Sequence, residues 1–112
     1  MAGFEIWSEI TTQETDFDGA RHTATSGWDS NTAPENYVIN RDQVKVEWIS
    51  QNGSENSYDL TYDDWVELVP GTSLKFPRTI RVRTYARSPK GKFNVGRGWS
   101  KVKVTGVYVK YK

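Results

Sequence analysis

At 112 residues, 36% apolar and 13% aromatic, the chain has material for one domain, residues 1–112, around a modest core. It has no cysteine, which excludes a disulfide framework and a thiolate metal site. Its net charge of +1 lies far from the strongly basic balance of a dedicated nucleic-acid domain.

The near-neutral sum conceals a lengthwise split. The first 56 residues carry ten acids against Arg21, Arg41 and Lys45, whereas the last 56 carry twelve bases against Asp59, Asp63, Asp64 and Glu67. Residues 68–112 contain no acid. A chain so divided either ties its own halves together or offers a basic surface to an anionic partner or another copy.

In chain order, the start lacks a basic and apolar leader, so cytoplasmic synthesis without a signal peptide is expected. No apolar run reaches the ~18 residues of a membrane helix, so no membrane insertion is expected. Phe4, Ile6, Ser8 and Ile10 alternate with Glu5, Trp7 and Glu9 and predict a first strand. Residues 13–36 are polar and irregular and read as a long loop region with one strand near 21–26. Val44, Val46 and Trp48 alternate with Lys45 and Glu47, and Asn52-Gly53 then turns the chain. A three-residue loop, Gln51-Asn52-Gly53 with a left-handed Gly53, sets Val46 against Tyr58 and Val44 against Leu60. It also sets Lys45 against Asp59, so a bulged hairpin is predicted. Residues 65–69 read as a separate strand stopped by Pro70-Gly71. Ile80, Val82, Thr84 and Ala86 alternate with Arg81, Arg83, Tyr85 and Arg87. Val102 and Val104 alternate with Lys101 and Lys103, and residues 107–111 continue to the end. About seven or eight short strands with regular turn signals predict an antiparallel β-sandwich, jelly-roll or Ig-like, with a small barrel as second choice.

The expected binding site lies on ring-bearing loops. Trp28, Asp29 and Asn31, Asn36 and Tyr37, Asp64 and Trp65, and Arg97 and Trp99 combine rings with short hydrogen-bonding groups. Sugar recognition needs that mixture, a ring for the apolar face of a pyranose and polar groups for its hydroxyls. In composition and loop type, though in no defined motif, the chain is similar to small cysteine-free all-β sugar-binding proteins. A lectin-like, non-enzymatic carbohydrate-binding module is the leading reading.

Two others stand beside it. Arg81, Arg83, Arg87, Lys101 and Lys103 would line one basic face if their strands were neighbours, with Lys90, Lys92 and Arg97 at its end. That face would bind nucleic acid or sulfated glycan. The charge split would also let a homo-oligomer assemble, acidic half to basic half, as in a virion, tail or shell protein. Glu14, Asp16 and Asp18 with Gly19 resemble the opening of a calcium loop, but the twelfth position is Thr25 rather than the bidentate Glu, so no cofactor is expected. Catalysis is not expected: His22 is the sole histidine, and no nucleophile elbow is present.

Overall fold

A computed structural model describes residues 2–91 and 95–112. The chain alternates between two antiparallel sheets packed face to face. Strands β1 (Gly3–Glu14), β4 (Tyr37–Ile39), β5 (Lys45–Asn52) and β8 (Arg97–Lys110) form the first. Strands β2 (Thr23–Thr25), β3 (Asp29–Thr32), β6 (Glu55–Glu67) and β7 (Lys75–Arg87) form the second. The predicted sandwich is the architecture observed, and the described strands close no barrel. Among the described residues no helix is long and apolar enough to cross a membrane.

Each sheet is built on one long central strand. β8 pairs with β1 along one edge and with β5 and then β4 along the other. β7 pairs with β6 along one edge and with β2 and then β3 along the other. The result is thin and long, 61 × 25 × 18 Å, with a radius of gyration of 18.0 Å against about 13 Å for a compact chain of this size.

Period-two alternation decides which side chains enter the interior. Phe4 and Ile6 of β1, Ile80 and Val82 of β7, and Val102 and Val104 of β8 pack together with Ile39 and Tyr108. The out-of-phase residues of both central strands are mostly cationic, with Tyr85, Trp99 and Thr105 among them. β7 carries Lys75, Arg78, Arg81, Arg83 and Arg87 with no acid, and its neighbour β6 carries five acids with no base.

Three sequence expectations change. Residues 13–36 contain β3 as well as β2, because Asp29–Thr32 is held by pairing with β7 rather than by apolar alternation. Residues 65–67 end the 13-residue β6 and do not start a strand of their own. As expected, the last strand continues through Gly106 toward the end of the chain, and a Cβ at Gly106 would stand 2.6 Å from the Phe4 ring.

The third change is the hairpin. β5 pairs with β8 and β6 with β7, so Asn52-Gly53-Ser54 is an arch between sheets. Lys45 therefore lies opposite Thr105, and Asp59 opposite Arg83. Gly53 has φ +133°, and a Cβ there would collide with the Arg87 carbonyl oxygen. That oxygen accepts the Ser54 N–H at 3.0 Å. The close approach of two backbones, rather than a hairpin turn, is what requires glycine.

Candidate functional site

Part of the charge split is answered inside the chain. On the second sheet, the Arg83 Nε lies 2.9 Å from Asp59 and the Arg81 guanidinium 3.3 Å from Asp63, while Arg87 faces Glu55 across the strands. On the first, Lys103 lies between Glu5 (3.9 Å) and Glu47 (3.8 Å), and Lys101 lies 3.9 Å from Glu9. The single basic face expected from the sequence does not form. Arg81, Arg83 and Arg87 sit on one sheet and Lys101 and Lys103 on the other, because β7 and β8 are centres of different sheets. Lys92 lies outside the described residues.

The ring-bearing loops do not converge either. Asn36 has φ 72° in a turn, and its carbonyl accepts the Tyr111 N–H at 2.9 Å. Tyr37 begins β4, and Asn31 accepts the Tyr108 hydroxyl at 2.5 Å across the sandwich. Asp64 has φ 57° and accepts the Thr79 hydroxyl at 2.8 Å. These residues and Trp65 lie toward the β4 end. Arg97 lies toward the opposite end, beside Glu14 at 3.8 Å. Trp28 lies on the outer face of the second sheet with the Arg83 guanidinium 4.4 Å over its ring, and Asp29 follows it into β3.

A cation covers most of the exposed indoles. The Arg41 guanidinium lies 5.1 Å from both the Tyr62 and Trp65 rings. Burial pushes the Tyr62 phenol above its ordinary range, and the charge of Arg41 works against that shift. Lys101 and Lys103 approach the Trp7 ring at 5.4 and 5.5 Å. These contacts let lysine and arginine lie along the sheet surface instead of extending into water.

Trp99 differs. It is 38% exposed, no cation lies over its ring among the described residues, and its indole N–H donates to the Ser50 hydroxyl at 2.8 Å. Its place follows from pairing. The outward side chains of the first sheet form rows across β1, β8 and β5: Trp7–Lys103–Glu47, then Glu9–Lys101–Ser50, then Thr11–Trp99–Asn52. The rows of Trp7 and Trp99 are four residues apart on β8, about 13 Å at ~3.3 Å per residue. At the head of this face Gln43, Lys45, Thr105, Gly106 and Val107 line an open groove of about 360 Å³.

These three rows thus hold two indoles, two carboxylates, two ammonium groups and short hydroxyl and amide side chains. Sequence reasoning missed Trp7, Glu9, Thr11, Glu47, Ser50 and Asn52 as site residues. Trp7 had left a signal, since it occupies the polar phase of an alternating strand.

Glu14, Asp16 and Asp18 are not drawn together. Glu14 faces Arg97, Asp16 pairs with His22 at 3.0 Å, and Asp18 accepts the Ala20 N–H at 2.9 Å. Among the described residues no three potential metal ligands cluster.

No family model matches the chain, and no curated protein or solved structure matches it either.

Proposed function

We propose that the protein is a non-enzymatic carbohydrate-binding module whose site is the outer face of the first sheet, not a loop cluster. The observation that carries this reading is Trp99, a half-exposed indole fixed by Ser50 and free of any covering cation among the described residues. A large ring on a solvated strand costs apolar exposure and gains nothing for the core, so its position suits an external apolar partner. The apolar face of a pyranose would stack on Trp99. Thr11 and Asn52 flank the ring, and Glu9, Lys101 and Ser50 form the next row, within reach of sugar hydroxyls. The spacing to Trp7 and the open groove beyond it favour an oligosaccharide over a single sugar, laid along β8.

A glycan array followed by calorimetry tests this. Trp99→Ala is expected to weaken binding at least about tenfold, as for a central aromatic anchor, with an unchanged far-UV spectrum. Trp28→Ala, on the opposite sheet, is expected to leave affinity intact. Failure of the wild-type protein to bind any glycan would overturn the reading. So would equal affinity in the Trp99 variant.

A further inference from the structure

Both sheets end in strands with an unpaired edge, and those edges differ in charge. β1 carries Glu5, Glu9 and Glu14 with no base, and β6 carries five acids with no base. Two copies meeting along either edge would bring like charges together, a device that keeps edges apart. β5 is the long edge strand that carries both signs, Lys45 and Glu47, and its side away from β8 pairs with no strand among the described residues.

The order of residues on β5 is self-complementary. Around Val46 the sequence reads Val44, Lys45, Val46, Glu47, Trp48. An antiparallel pairing of two copies centred on Val46 sets Lys45 against Glu47 of the second copy, twice by symmetry. On the opposite face it sets Val44 against Trp48 and Val46 against itself. The inward phase of this segment is only half-buried, so apolar area remains to be covered. The pairing with β8 is regular from Lys45 to Trp48 and then shifts at Ile49, which is 37% exposed. That irregularity ends the straight stretch, and Val44 before it is already extended (φ −79°, ψ 128°). The pairable segment is therefore short and centred on Val46.

We infer that the protein forms a two-fold dimer through β5, joining the first sheets of two copies into one continuous sheet. The partner is a second copy of this chain, because only it supplies the matching Glu47 and Lys45. The acids of β6 border the same side of the molecule and keep the second sheets apart, which confines pairing to β5. This differs from contact between acidic and basic halves, several of whose charges are paired within each chain. It also stands independently of the carbohydrate reading, although the joined sheet would place both Trp99 rings on one continuous face.

The interface is small, so association belongs in the weak range and needs sedimentation equilibrium up to ~1 mM protein. The wild-type chain is expected to dimerise reversibly. Lys45→Glu and Glu47→Lys, each of which turns two attractive pairs into repulsive ones, are each expected to weaken the dimer by roughly tenfold or more. A mixture of the two variants is expected to form a heterodimer, because every opposed pair is then of opposite sign. The double variant K45E/E47K is expected to recover the homodimer. A wild-type monomer throughout, single variants that associate normally, or a double variant and mixture that stay monomeric would each overturn the inference. If Glu47→Lys disturbs folding through its contact with Lys103, Lys45→Glu, which leaves that contact in place, still decides it, and normal association of Lys45→Glu would overturn the inference.

Discussion

Toward the β4 end the two sheets are separated by Ile39, Ile80, Val82, Val102, Val104 and the rings of Phe4 and Tyr108. Toward the arch they are separated by Ser8, Thr12, Thr84, Ala86, Ser88 and Ser100. Burial is alike, with Ile80 and Ser100 both at 0% exposure, but the forces differ. The first region is held by apolar transfer and dispersion. In the second, the sheets are hydrogen-bonded to one another. Ser100 Oγ donates to the Tyr85 carbonyl at 2.7 Å, Asn56 donates to the Trp99 carbonyl at 2.7 Å, and the hydroxyls of Ser8 and Thr84 share a hydrogen bond at 3.3 Å. A serine bridging to the backbone of the facing sheet requires an approach closer than the ~10 Å at which large side chains hold sheets apart. The arch completes that approach. One sandwich thus changes from an oily core to a polar seam along its length.

Substitutions that act on one mechanism only should break the two regions differently. The largest effect is expected at the arch, where Gly53→Ala sets a Cβ against the Arg87 carbonyl oxygen and strains a φ of +133°. A loss above about 3 kcal/mol is expected by chemical denaturation. Gly98→Ala, with a Cβ 2.5 Å from the same oxygen, should fail in the same way. Tolerance of both would mean that the sheets are not held close there.

Next comes the apolar region. Ile80→Ala is expected to cost about 2–5 kcal/mol through lost transfer energy and the cavity left behind. Ser100→Ala, in the polar seam, removes few atoms but takes away the hydroxyl that donates to the Tyr85 carbonyl from the facing sheet. A cost of about 1–3 kcal/mol is expected. Were Ser100→Ala neutral, the polar seam would be mere filling. A cost equal to that of Ile80→Ala would make it the stronger half.

How much of this could be read in the sequence follows from where each interaction lies. Phe4 with Ile6, Ile80 with Val82 and Val102 with Val104 announced their strands because a buried sheet face imposes a period of two. The hairpin misled because Asn52-Gly53 supports any tight reversal. The partner of β5 is β8, some fifty residues further on, and no local turn chemistry reports that. β4, with three residues, gave too short a pattern. At the candidate site, Trp99 was identified from its local setting, and Trp7 was visible as a ring among acids. Ser50, Asn52 and Thr11 became neighbours of Trp99 only through long-range pairing. The convergence expected of Trp28, Trp65 and Trp99 failed because their strands belong to different sheets and ends.

The outer surfaces give the smallest expected effects and the sharpest control on the comparison. Charge pairs cover both sheets alike, with the central cationic strands flanked by acidic ones. Their members are substantially exposed, as for Asp59 beside Arg83 and Glu9 beside Lys101. Such pairs contribute little in high dielectric, so Asp59→Asn and Glu9→Gln are each expected to cost under about 1 kcal/mol. The two should be alike and should shrink together as salt is raised, because screening acts on both from the same solvent. Denaturation of both variants at low and high salt measures this. A large cost for Asp59→Asn alone would mean that Arg83, with Trp28 stacked on it, braces the second sheet. Equal small costs would place the difference between the two halves inside the sandwich, where the side chains and not the charges change.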